Sequence, residues 1–249
     1  MPDASIVEVN NLTVRYSDAL ILDDISFSVK TGERFFIVGG SGCGKSTLMR
    51  HMIGLENPEK GRLQIAGTDI TRCSDAEFKA VLRKIGVLFQ SSALLGSMTI
   101  GENVALPIME FTTLPRTTIA NMVRMKLSLV GLECYEDHLP SEISGGMRKR
   151  AGLARAMALN PGILFLDEPS AGLDPITGAE IDDLILHINQ SMGTTLIIVT
   201  HELSSIFNLA QRLIMLEKTE KKIIAEGAPE ELHGRHPHPG VRQFFNPRP

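Results

Sequence analysis

The sequence predicts an α/β fold whose core is interrupted by a mostly helical insert. Three observations carry this expectation. Short apolar runs at 163–166 and 196–199 each precede a polar residue and alternate with helical segments, the pattern of central strands in a parallel sheet. A glycine-rich stretch at 39–44 lies between a short apolar strand (34–38) and a helical segment (45–54). From about residue 100 to 158 the pattern turns helical, with few β-branched runs.

Taken in order, residues 6–16 and 19–29 alternate and carry β-branched side chains, which predicts two strands of a small sheet, followed by a turn at Thr31-Gly32-Glu33. Residues 58–71 return to strand-and-turn composition, and 85–89 reads as another buried strand. Within the insert, 122–132 and 146–159 are the clearest helices. The end of the chain, 233–240, is polar and proline-rich and predicts a solvated loop, followed by a short segment at 241–245. One domain is expected, with 1–90 and 160–232 as core, 91–159 as helical insert and 233–249 as tail.

Composition narrows the function classes. With 43% hydrophobic and 22% charged residues, a chain of 249 residues buries a large core and is not extensively disordered. A formal net charge of −4 supplies no global basic field, so nucleic acid is not an expected partner. Cys43, Cys73 and Cys134 are dispersed, without a CxxC pair, and read as reduced thiols of a cytosolic protein. The first residues have neither a basic region nor an apolar one, so no signal peptide is expected, and no apolar run is long enough to span a membrane. Any membrane role must then come through a partner.

The glycine-rich stretch carries the first piece of chemistry. Gly39, Gly40, Ser41, Gly42, Cys43, Gly44, Lys45 and Ser46 fit G-x-x-x-x-G-K-[ST] between a strand and a helix. Glycines let consecutive backbone N–H groups turn toward phosphate oxygens, and the following helix adds its positive end. Lys45 then neutralises the β- and γ-phosphates, Ser46 completes a Mg2+ shell, and Thr47 extends the nucleotide-binding set. Cys43, at a helix N-terminus, is a candidate reactive thiol whose alkylation would block nucleotide binding.

A second cluster ends the apolar run at 163–166 with Asp167 and Glu168. Neighbours on a strand face opposite ways, so the two acids divide the work. Asp167 suits the Mg2+ shell, and Glu168 suits a general base that polarises the attacking water. A third feature, Ser144-Gly145-Gly146, opens the helix that follows and is another anion-binding helix start. One nucleotide needs one phosphate cradle, so two in one chain suggest that the second serves a nucleotide held by a neighbouring copy.

With these motifs in place, the sequence resembles the ABC ATPase family over nearly its whole length. Ile143-Ser144-Gly145-Gly146-Met147 resembles the family's signature motif, Gln90 its Q-loop, the run from Ser170 to Asp174 its D-loop, His201 its switch histidine and Tyr16 the aromatic that stacks on adenine. The resemblance implies a RecA-like P-loop NTPase core with an N-terminal antiparallel β subdomain and an inserted α-helical subdomain. It also implies ATP and Mg2+, catalytic roles for Glu168, His201 and Gln90, Mg2+ ligation by Ser46, Gln90 and Asp167, and a head-to-tail homodimer enclosing two ATP. In that dimer Asp174, Ser144, Gly145 and Gly146 join the ATP sites, the signature acting across the dimer.

Residues 88–95, 102–107 and 241–245, together with Met147, resemble the lipid-transport ATPases of the Mla/Mce type. That resemblance implies membrane permease subunits, a periplasmic Mce-domain lipid-binding protein, a STAS-domain protein, and a place on the cytoplasmic face of a bacterial inner membrane. Leu94, Leu95 and Met98 could together form a groove for a permease helix, although for any one of them packing in the chain's own core is the stronger expectation. The alternatives are the ATPase of another ABC importer or exporter, a soluble ABC ATPase acting on ribosomes or DNA, and a scaffold that uses ATP only to assemble. The basic run Arg148-Lys149-Arg150 reads as a solvated helix face, and His233, His236 and His238 read as solvated loop residues rather than metal ligands.

Overall fold

The computed structural model describes residues 5–234 and 236–246; the outer limits of the expected domain, and Arg235 within the tail, lie outside the described residues. The chain opens with β1 (Ser5–Tyr16) and β2 (Ala19–Lys30), an antiparallel pair. After β3 (Arg34–Gly39) and α1 (Lys45–Met52), β4 (Lys60–Ile65) and β5 (Thr68–Asp69) complete a four-stranded sheet in the order β2-β1-β4-β5. This is the expected small N-terminal sheet.

The core sheet gathers strands from both sides of the insert. It contains β3, β6 (Ile85–Leu88), β7 (Ile163–Asp167), β8 (Thr195–Val199), β9 (Arg212–Leu216) and β10 (Ile223–Gly227), in the order β10-β9-β3-β8-β7-β6. The five strands from β9 to β6 run parallel, and β10 is antiparallel at the edge. Alternation across the sheet divides its side chains between two layers. Phe35, Ile37, Phe165 and Ile197 face the small sheet, whereas Phe36, Val38, Leu164, Leu166 and Ile198 face the opposite layer. Both faces are buried, which is why these strands read as continuous apolar runs.

Helices fill the rest. α2 (Asp75–Leu82) starts on a capping box in which Ser74 and Glu77 satisfy each other's backbone N–H groups. The insert contains α3 (Ile100–Phe111), α4 (Arg116–Leu129) and α5 (Gly145–Ala156), packed around their own core of Ile100, Val104, Ile108, Val123, Leu127 and Ala154. α4 begins six residues earlier than the periodicity predicts, because its first turn, Arg116-Thr117-Thr118, is polar and offers no apolar repeat. Gly131, at φ 69°, stops the chain beyond it. α6 (Pro175–Met192) and α7 (Leu203–Leu209) cover the second face of the sheet.

The tail corrects an expectation. After α8 (Pro229–His233), residues 239–245 form α9 (Pro239–Phe245), whose Val241 and Phe245 are buried in the core layer of α6 and α7. His233 is exposed, as expected, whereas His236 and His238 are half-buried. His238 Nδ1 accepts from the Gly240 N–H at 3.1 Å, capping α9, and its Nε2 lies 2.8 Å from Glu220 Oε1. His233 meets the Phe207 ring edge-on, 5.3 Å between centroids. A spacing of four between two apolar residues was too short a signal to outweigh the prolines.

Candidate active site

The site forms where β3, β7 and β8 end, the usual crevice of a parallel α/β sheet. β3 gives way at Gly39, whose φ is 145° and whose missing Cβ would lie 2.4 Å from the Leu216 carbonyl oxygen. No other residue fits there. Gly44, at φ 100°, is the N-cap of α1, so the helix begins at Lys45 with its N–H groups turned toward the loop. Nothing stands within 4 Å of the position a Gly40 side chain would take, which leaves the loop's face open. Lys45 is buried and its Nζ donates to the carbonyls of Gly39 at 2.9 Å and Gly40 at 3.3 Å.

At the tip of β7 the two acids part. Asp167 turns toward α1 and accepts from the Ser46 hydroxyl at 3.3 Å. Burial, reinforced by the charge of Glu168, pushes its carboxyl above the usual range. Glu168 leaves the strand in the left-handed region, φ 49°, unusual for a residue with a side chain. Its N–H donates to the Val199 carbonyl at 2.8 Å, its Oε1 lies 2.7 Å from His201 Nδ1, and its Oε2 accepts from the Thr200 hydroxyl at 3.1 Å.

These residues border an open cavity of about 1170 Å³ lined by Gly39, Gly40, Ser41, Gly42, Lys45, Ser46, Gln90, Glu168 and His201. Its chemistry fits a nucleoside triphosphate with a divalent cation. Open loop amides and a lysine face one side, and the Ser46 hydroxyl, bonded to the Asp167 carboxylate, faces another. The far wall comes from α9, through Pro239, Arg242, Gln243, Phe244 and Asn246. Sequence reasoning missed that wall.

Other predicted residues lie outside this cavity. Thr47 follows Ser46 in α1, and Tyr16 stands beside it, 42% exposed, its hydroxyl bonded to Glu56. The ring of Tyr16 is therefore free to take a flat partner next to the phosphate loop. Asp174 spends its carboxylate on its own helix, accepting from the N–H groups of Ile176 and Thr177, both at 3.1 Å, and from the Thr177 hydroxyl at 2.6 Å. Ser144 caps α5, accepting from the Met147 N–H at 3.3 Å, and is exposed with Gly145 half-buried beside it. Gly146 packs so closely on α6 that a Cβ would meet Thr177 Cγ2 at 2.6 Å. None of the three residues of this second helix start lines the chain's own cavity.

Two readings are corrected. Cys43 is 2% exposed, and burial raises its thiol despite Lys45 nearby, so it is not an activated nucleophile. The basic run 148–150 is a solvated face only in part: Arg148 is exposed, Arg150 half-buried and Lys149 buried. Arg148 donates to the Ile143 carbonyl at 2.7 Å, Arg150 pairs with Glu180, and Lys149 is buried with its Nζ 2.7 Å from the Glu168 carbonyl oxygen. The signal was present: Gly146, Lys149, Leu153 and Ala156 recur at helical spacing along the buried face of α5. Of the residues expected at a partner groove, Leu95 is 45% exposed and Leu94 packs partly on the insert's core. An apolar trough of about 250 Å³ is lined by Ile53, Leu55, Leu82, Val87, Phe89, Pro107, Phe111 and Leu159, among others.

Comparison with known proteins agrees with this geometry. The family model described as ABC transporter matches residues 22–171. The chain is 42% identical over 97% of its length to the probable ribonucleotide transport ATP-binding protein mkl of Mycobacterium tuberculosis, covering 67% of that protein. It is 41% identical over 92% of its length to the intermembrane phospholipid transport system ATP-binding protein MlaF of Haemophilus influenzae, covering 86% of it, and 37% identical over 98% to MlaF of Escherichia coli, covering 89%. Among solved structures, the dimeric cassette MJ0796 bound to ADP and Pi superposes with a TM-score of 0.81 at 30% identity, over 89% of this chain and 98% of that one.

Proposed function

Because the chain belongs to the ABC transporter family and is one of its ATP-hydrolysing subunits, we propose that two copies close around two ATP and drive a membrane permease that moves phospholipid across a bacterial envelope. The observation that carries the pairing is the second anion-binding helix start. Ser144, Gly145 and Gly146 line nothing in their own chain's cavity, so their ligand arrives on another copy.

In this reading the amides from Gly39 to Ser46 cradle the phosphates, Lys45 swings from the loop carbonyls to the β- and γ-phosphates, and Tyr16 stacks on adenine. Glu168 accepts hydrogen bonding from the attacking water and draws off its proton as the water oxygen bonds the γ-phosphorus and the bond to the β-γ bridging oxygen breaks. His201, already against Glu168, holds that carboxylate in place, and Gln90 positions the water from the opposite wall. Ser46, Asp167 and Gln90 would hold Mg2+, which when bound neutralises charge on the phosphates. Asp174 orders the start of α6 beside the partner's nucleotide.

Phospholipid is favoured over ribonucleotide because the MlaF proteins are matched over a larger share of their own length than mkl. Among the described residues no helix is long and apolar enough to cross a membrane, so the permease supplies the membrane contact, at the cytoplasmic face of the inner membrane. The apolar trough between the sheet and α3 is the seat for a permease helix. A Mce-domain lipid-binding protein and a STAS-domain protein complete the complex. Purification of the tagged full chain from membranes, with mass spectrometry of what accompanies it, tests the assignment. A permease carrying phospholipid is expected; recovery without a permease, or with ribonucleotide as the transported ligand, would overturn it.

A further inference from the structure

Helix α5 touches three functional parts of the molecule. Its first turn carries Ser144, Gly145 and Gly146. Near its far end, Arg155 donates to the carbonyls of Ser92 and Ala93, both at 2.7 Å, in the loop that follows Gln90. Between them, about 7 Å along the axis from the helix start at 1.5 Å per residue, stands Lys149.

Lys149 is 6% exposed, and its ammonium donates to the backbone carbonyl of Glu168 at 2.7 Å. That carbonyl, which also accepts from the Ala171 N–H at the longer distance of 3.3 Å, completes the restraint of a residue otherwise held by its N–H and by both carboxylate oxygens. Glu168 stands in the left-handed region, where a residue with a side chain persists only if its surroundings fix it. The carbonyl and the carboxylate hang from one Cα, so a shift of α5 that displaces this Cα moves both. A neutral donor would satisfy a carbonyl at lower desolvation cost than a buried ammonium. The charge makes sense because Asp167 and Glu168 both lie close enough to interact with it.

We propose that Lys149 is a positioning residue linking the two ATP sites: α5, whose first turn meets the nucleotide held by the other copy, sets the orientation of its own chain's Glu168 through this hydrogen bond. ATP bound on one side thereby prepares the base on the other. This rests on the reading of Ser144, Gly145 and Gly146 as a half-site for a second copy, and its structural basis is one rigid helix with a contact at each place.

The test is hydrolysis rate against ATP concentration for the full chain in its membrane complex, comparing wild type with Lys149→Met, which keeps length and loses donor and charge. Wild type should respond with a Hill coefficient approaching about 2, the number of sites. Lys149→Met should give a coefficient near 1, a kcat about tenfold lower, as expected for one lost positioning hydrogen bond, and an unchanged or higher Tm. A purely structural lysine predicts the reverse, a kcat that falls only as Tm falls, with the coefficient retained; that result, or a hyperbolic wild type, would overturn the link. Should Lys149→Met not fold, Lys149→Gln, which retains an N–H donor, should keep wild-type cooperativity, and a folded but hyperbolic Gln variant would equally overturn it. Pairing of the Glu168→Gln chain around ATP is measured alongside. If it fails, the dimer reading falls too; if it holds while the coefficient is unchanged, only the link is lost.

Discussion

The phosphate loop and the signature run are both helix starts built to hold anions, yet they stand in opposite surroundings. The phosphate loop lies at the tip of a central strand, with Lys45 buried and a cavity already formed by four neighbouring segments. The signature run lies at the edge of the insert, its Ser144 exposed and its hydroxyl engaged only with its own helix. The first is enclosed by its own chain; the second lines no part of that cavity. In the proposed pairing, this difference would keep the chemistry of hydrolysis within one chain and leave the second helix start for a partner copy.

Breaking each half separately sharpens this contrast. The largest effect on affinity is expected at Lys45, where Lys45→Ala should weaken ATP binding by about 10- to 100-fold, the worth of a charge-assisted hydrogen bond. Ser144→Ala should leave ATP affinity of the single chain within about twofold, lower turnover of the assembled pair, and cost about 1 kcal/mol of stability through the lost N-cap. Isothermal titration with ATP, beside the turnover assay, checks both. Equal losses of affinity would mean that the two halves serve the same nucleotide within one chain.

The smallest effect concerns the thiols. Cys134 is exposed, whereas Cys43 is sealed beneath the loop with its pKa raised by burial. A thiol reagent on the folded chain should therefore modify Cys134 first, and Cys43 should react at least about tenfold faster once the chain is unfolded, since the thiolate is the reactive form. Peptide mapping over time reads this out. Rapid native labelling of Cys43 with loss of ATP binding would restore the reactive-thiol expectation.

The same contrast explains what was legible in the sequence. The phosphate loop and the acidic strand end could be read because backbone geometry forces their residues: only glycine fits at Gly39, and a strand buried on both faces needs an unbroken apolar run such as 163–166. The helical insert also followed from where those runs fall, whereas the order of strands in the sheet is set by tertiary pairing and was not read from the sequence. Lys149 was missed because charge was weighed before helical position. The burial of Lys149 depends on two acids that lie close in space and far along the chain. α9 was missed because a helix of two apolar contacts gains its place from α6 and α7, not from local propensity. Tertiary neighbours decide such cases.

The most direct measurement is the mass in solution of the Glu168→Gln chain with and without ATP and Mg2+, by light scattering, with turnover measured on the same preparation. Division of the site predicts twice the single-chain mass only with ATP, and hydrolysis lowered by about 10²–10⁴-fold, the usual loss on removing a general base. A single-chain mass with ATP bound, even with the permease supplied, would contradict it.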